Sequence, residues 1–180
     1  MSDVLDRYRI LADDFDRRVA GAAGAWDRQS PCDEWTAGDV VAHVVGVHRH
    51  FLCGLDGTEE PTDEPDDVAA AWADARVDLE AALADPDRST RAVESPFGHM
   101  PFEQLVGRLL SVDLLVHTWD LARATGGDEA INEEFSGFAL SGLRPLDGQF
   151  RGPGMFKPAI DPPAGADNRT QLLSFLGRQV

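Results

Sequence analysis

Two histidines and one aspartate stand in this chain where helical patterning calls for apolar side chains. Asp113 and His117 are four residues apart in the run 105–124, whose Val106, Leu109, Leu110, Val116 and Leu121 recur at helical spacing. Both polar side chains therefore fall on the stripe expected to face inward. His43 sits the same way among Val40, Val44, Val47 and Phe51. An unpaired carboxylate costs several kcal/mol to bury, so Asp113 must be paired, protonated or bound to a cation. One divalent ion would satisfy all three residues.

Side chains four apart on a helix have Cβ atoms about 5 to 6 Å apart. Asp113 and His117 can thus reach one ion as the two histidines of a helical HExxH motif do. His43 adds a ligand from another helix, and three protein ligands leave positions for water or substrate, as in catalytic sites. Imidazole and carboxylate suit zinc first, with nickel or ferrous iron as alternatives. A metal-free reading stays open at this point: Asp113 and His117 as a hydrogen-bonded pair, His43 as a core histidine bonded to a carbonyl.

Other chemistry-bearing residues carry weaker signals. His50, seven past His43, is expected at a rim, and His48 and His99 rank below it. Cys32 reads as a packed thiol, with no base evident nearby. Asp39, four before His43, and Asp120, three after His117, are placed either to orient ligands or to serve as cap and surface carboxylates. Trp35, Trp72 and Trp119 read as core or pocket wall. No catalytic residue beyond the metal ligands stands out.

The elements that must position these residues are helices. Val4, Tyr8, Leu11, Phe15 and Val19 mark the first, ending near Gly21 and Gly24. Thr36 with Asp39 resembles a capping box opening the second, which Gly54 and Gly57 stop. Val68, Trp72, Ala75, Leu79 and Leu83 define the third, closed by Asp85 and Pro86. Residues 89–101 read as a short extended excursion or hairpin, and a fourth helix follows from Pro101 or Phe102 to Gly126. A fifth is expected over 131–143 with Ile131, Phe135 and Phe138 inward. A Gly- and Pro-rich stretch then leads to a last helical run over 171–176. The pattern predicts an all-α, up-and-down four-helix bundle with an excursion before the fourth helix and an extra C-terminal helix, folded as one domain over 1–180.

Composition narrows the function. A formal charge of −16, with 16 Lys and Arg in no cluster, removes the electrostatic drive for nucleic-acid binding. Hydrophobic residues make up 43%, and no apolar run approaches the ~18 residues of a membrane span. With no secretion signal at the start, a cytoplasmic protein is expected. The two cysteines, Cys32 and Cys53, offer neither a disulfide framework nor a Cys-based zinc motif. An apolar stripe alone leaves a homodimer open.

The segments Ser30-Pro31-Cys32-Asp33-Glu34-Trp35-Thr36, Asp39-Val40-Val41-Ala42-His43 and 113–126, the last reading DLLVHTWDLARATG, resemble the mycothiol-dependent maleylpyruvate isomerase N-terminal domains. These belong to the DinB-like superfamily of metal-binding four-helix bundles. The closing stretch, 156–160 through 172–178, is similar to a subgroup of small actinobacterial proteins of this build. The resemblance implies a divalent metal, usually zinc, held by His43, Asp113 and His117, with Asp113 where the isomerases commonly have Glu. It also implies a low-molecular-weight thiol of the mycothiol type, activated at the metal for transfer to a small electrophile or for isomerisation. The isomerases carry a second domain that helps bind substrate, so maleylpyruvate itself is not the expected substrate. The competing expectations are a non-enzymatic metal-containing bundle and a metal-dependent hydrolase.

Overall fold

In a computed structural model, residues 3–62, 65–149, 151 and 156–180 are described. They form two compact units, 1–129 and 130–180.

The first unit is a four-helix bundle built from α1 (Asp3–Gly21), α2 (Ala37–Asp56), α3 (Val68–Ala84) and α6 (Ser111–Thr125). A single-turn α4 (Pro86–Ser89) follows α3, and β1 (Ala92–Val93) pairs antiparallel with β2 (Met100–Pro101) as the expected hairpin excursion. The short α5 (Phe102–Leu105) then runs into α6 through a π-helical turn, Val106–Leu110.

Each boundary has a local cause. Thr36 caps α2 by accepting from the Asp39 backbone N–H, and the Asp39 carboxylate accepts from the Thr36 N–H, closing the capping box. Gly54 lies within α2. Gly57 ends it, taking the left-handed φ of 68° that a Cβ would oppose. Asp67 caps α3 on the N–H groups of Ala69 and Ala70.

The order of the bundle is its informative detail. α1 packs against α3 and α6, and α2 packs against the same two, so α1 and α2 lie across the diagonal. Phe15 and Trp72 meet edge to face at 4.8 Å in the core, a favoured aromatic geometry. Because the link from α1 to α2 spans that diagonal, residues 22–36 travel over the bundle end and are fastened there. Gln29 bridges to Thr36, Gly38 N–H donates to the Trp26 carbonyl, and Arg28 donates to the Thr125 carbonyl at the C-terminus of α6. Glu34 takes a left-handed φ of 62°, uncommon for a residue with a Cβ, inside this turn. The strain falls between Cys32 and Trp35.

The inward face of α2 is wider than the periodicity suggests. Val40, Val41, Val44, Val45 and His48 are buried, whereas Val47 and Phe51 are half-buried. Packing between two flanking helices, α3 and α6, explains the breadth. It also leaves His43 at the edge of the stripe.

The second unit holds α7 (Glu133–Leu143), the 3-10 turn Arg144–Gln149 and α8 (Asn168–Phe175). Asn132 caps α7 on the Phe135 N–H, and α7 packs on α8. The Glu133 carboxylate accepts from the N–H groups of Asn168 and Arg169, placing a negative charge on the positive end of α8. Ile131 is buried as expected, but Phe138, expected inward, is 57% exposed. Ser136, Ala139, Leu140 and Leu143 form the covered face instead.

Candidate metal centre

α2 and α6 are adjacent, and their facing positions bring His43, Asp113 and His117 together. His43 Nε2 lies 3.2 Å from Asp113 Oδ1, and His117 Nε2 lies 3.4 Å from the same oxygen. The ligand atoms of all three residues fall within 4.8 Å of one another. Donors held at 2.0 to 2.2 Å around a tetrahedral ion sit roughly 3.3 to 3.6 Å apart, so the two separations from Asp113 Oδ1 are close to those of a coordination sphere. The second Asp113 oxygen, Oδ2, is buried and finds no hydrogen-bond partner among the described residues. A buried carboxylate oxygen left this way demands compensation. The three residues fit a divalent cation.

The side chains are 32%, 23% and 9% exposed in the order His43, Asp113, His117, so the cluster opens on the His43 side. Trp35 covers it. Its ring lies 4.8 Å from the His43 ring and 6.0 Å from that of His117. The fastened connector 22–36, with its strained turn at Glu34, delivers this tryptophan.

The electrostatics follow from the geometry. Burial opposes ionisation of Asp113, but the charges and hydrogen bonds of His117 and His43 outweigh it and hold the carboxyl well below its usual range. Burial likewise disfavours a charged His117. The Asp113 carboxylate, with Asp120 and Cys32 beyond it, reverses that and pushes the imidazole well above 6.5. Without a cation the cluster is thus an ion pair of anionic Asp113 and protonated His117. A cation held by these three residues would take the place of that proton.

On its far side, His117 Nδ1 lies 2.9 Å from Asp120 Oδ2, too oblique for a regular hydrogen bond. Asp120 is fully buried. A carboxylate behind a metal-binding imidazole fixes ring orientation and raises ligand basicity. Of the two aspartates considered from sequence, Asp120 is the one that stands behind an imidazole of the cluster. Asp39 is the helix cap.

Cys32 differs from its sequence reading. Its thiol donates to Asp120 Oδ2 at 3.5 Å, beside His117, so a base is at hand after all. The connector turn places it there from 88 residues away in sequence, which no periodicity encodes. His50 is exposed and pairs with Glu60 at 2.6 Å, and His99 is exposed. His48, ranked low from sequence, is fully buried elsewhere in the bundle, bonded to Tyr8 and the Val44 carbonyl.

Fold and site together define a helical bundle with a His–Asp–His cluster on facing helices. Residues 8–122 match the family model described as mycothiol maleylpyruvate isomerase N-terminal domain. The chain belongs to that family. It is 36% identical over 155 residues to uncharacterized proteins of two Mycobacterium tuberculosis strains, covering 84% of this chain and 84% of theirs. Among solved structures it is similar in fold to the mycothiol-dependent maleylpyruvate isomerase, with a TM-score of 0.54, 18% identity, and coverage of 82% of this chain and 68% of that one. A histidine-to-alanine mutant of a mycothiol-dependent maleylpyruvate isomerase gives 0.57 at 18% identity, covering 83% and 72%.

Proposed function

We propose that the chain is a divalent-metal-dependent thiol transferase or isomerase that uses a mycothiol-type thiol and a small electrophilic substrate. The observation that carries this reading is the convergence of His43 Nε2, Asp113 Oδ1 and His117 Nε2 around a carboxylate whose other oxygen is buried without a partner. Family membership supports the thiol. His43, Asp113 and His117 would hold the ion, zinc being the first choice for two imidazoles and a carboxylate. When bound, such an ion lowers the pKa of a coordinated thiol and so supplies a thiolate at neutral pH.

The chain's own residues contribute orientation and enclosure. Asp120 keeps His117 Nε2 turned toward Asp113. Trp35 covers both imidazole rings and shields that face of the cluster from water. The more exposed His43 side is where a thiol and an electrophile can approach. Three ligands leave room for one sulfur, the arrangement of an open site rather than a structural one.

The test is turnover of mycothiol with chlorodinitrobenzene by zinc-loaded protein. Thiol-dependent turnover above buffer is expected, lost in Asp113→Asn and kept in Cys53→Ser. No turnover in the loaded wild type, or hydrolysis that proceeds without thiol, would overturn the reading.

A further inference from the structure

The far side of the His117 ring forms a second cluster that the catalytic reading does not use. Cys32 Sγ, a His117 ring nitrogen and an Asp120 carboxylate oxygen lie within 4.8 Å of one another. Cys32 Sγ is 3.5 Å from Asp120 Oδ2, and His117 Nδ1 is 2.9 Å from it. Around a tetrahedral ion with metal–sulfur bonds near 2.3 Å, sulfur and oxygen donors sit roughly 3.5 Å apart. His117 is only 7% exposed, and its Nδ1 is aimed into this cluster, where its contact with Asp120 Oδ2 is too oblique to complete a regular hydrogen bond. We propose that Cys32, His117 and Asp120 form a second cation site, selective for thiophilic ions such as Cd2+, whose loading excludes loading of the His43–Asp113–His117 set.

Selectivity follows from the donors. The first set has nitrogen and oxygen only, which suits borderline ions. The second adds sulfur, which favours softer ones. Binding releases the Cys32 thiol proton and the His117 Nδ1 proton to solvent, and the resulting thiolate with the Asp120 carboxylate supplies two negative charges for a divalent cation. The bond formed is metal to sulfur, with no redox change.

Exclusion follows from the ring. A neutral imidazole offers one lone pair, its other nitrogen carrying the proton. An ion on Nδ1 therefore leaves Nε2 protonated and facing Asp113, unable to serve the first set. The Nε2–H of His117 then donates to Asp113 and keeps that contact closed. A soft ion seated on Cys32 would silence the first site without touching His43 or Asp113. Glu34, strained two residues from Cys32, and the Gln29–Thr36 bridge hold the connector in the conformation this cluster needs.

The test uses metal-free full-length protein carrying Cys53→Ser, which leaves Cys32 as the sole thiol of the two in the chain. One equivalent of Cd2+ is added under a phosphine reductant, and the sulfur-to-metal charge-transfer band is read in the ultraviolet. The band is expected at one ion per chain, retained in the additional variant Asp113→Asn, and lost in Cys32→Ser. Asp120→Asn should weaken binding at least tenfold. Protein preloaded with one equivalent of Co2+ should lose most of its visible ligand-field bands as Cd2+ is added. Far-UV circular dichroism checks that each variant folds. Absence of the band in folded Cys53→Ser protein overturns the proposal. So does its loss in Asp113→Asn, which would place the thiolate on the first set, and so does retention of the cobalt bands at full cadmium loading. None of these readouts depends on turnover, so failure here leaves the catalytic reading standing.

Discussion

The bundle contains two deeply buried histidines, and they are opposites. His48 on α2 is fully enclosed beside Tyr8 and Trp72, its ring meeting that of Trp72 edge to face at 5.1 Å. Its Nδ1–H donates to the Val44 carbonyl at 2.7 Å, so its Nε2 accepts from the Tyr8 hydroxyl at 3.0 Å. Both nitrogens are used by neutral partners. Burial therefore dominates and lowers the imidazole to about 4. His117 on α6 is nearly as buried but is flanked by Asp113 and Asp120, which push it the other way. Burial alone does not mark a histidine as functional. What marks it is whether its partners complete it or leave charge and lone pairs directed at a shared point.

The largest effect should come from the incomplete cluster. Asp113→Asn removes the carboxylate charge and leaves only a weakly coordinating amide oxygen, and zinc affinity should fall by at least ~100-fold, a free energy of about 2.7 kcal/mol or more, as read by calorimetric titration. The same substitution at the complete cluster's expense has no counterpart: Tyr8→Phe should leave zinc affinity unchanged.

Acid separates the two next. His48 holds its proton more weakly folded than unfolded, so its contribution to stability is complete above about 6.5 and is lost as the pH falls toward 4. At about 1.4 kcal/mol per tenfold change in proton affinity, the loss approaches roughly 3 kcal/mol. His117 works in the opposite sense, since its raised value makes its contribution complete below 6.5 and lost as the pH rises through the folded value. Asp113, lowered, matters only below the ordinary carboxylate range. Between pH 4 and 6.5 the slope of metal-free stability should therefore report His48, and His48→Gln should flatten it in urea melts. An unchanged slope would break the contrast.

Smaller effects sharpen it. Tyr8→Phe strands His48 Nε2 in the core and should cost about 1 to 2 kcal/mol of stability. Thr36→Ala, which loosens the cap tying the connector to α2, should cost about 1 kcal/mol in thermal or urea melts. It should weaken zinc binding less than Asp113→Asn does.

The contrast also shows what a sequence carries. The His43, Asp113 and His117 positions were legible because i,i+4 spacing and an apolar stripe are local periodic signals. Helix α2 was legible at its start because Thr36 and Asp39 form a cap within four residues. His48 was hidden because it lies on the opposite flank of the Val40, Val44 and Val47 stripe from His43, about 70° from its centre at 3.6 residues per turn. Only packing of α2 against both α3 and α6 widens that stripe to include it. Cys32 was hidden because its partner Asp120 is reached by a connector crossing the bundle diagonal. The π turn at Val106–Leu110 replaces what reads as unbroken helix, since an added residue in one turn has no compositional mark. Phe138 was expected inward on a pattern that Gly137 and Gly142 dilute, and it is exposed.

The most direct test of the central claim is elemental analysis of protein purified without added metal, run beside the His43→Ala/Asp113→Asn double variant. The account predicts close to one transition-metal ion, zinc first, per wild-type chain and a small fraction of that in the folded variant. A wild-type chain with no bound metal that also fails to take up zinc, or a variant that keeps its full complement, would contradict it.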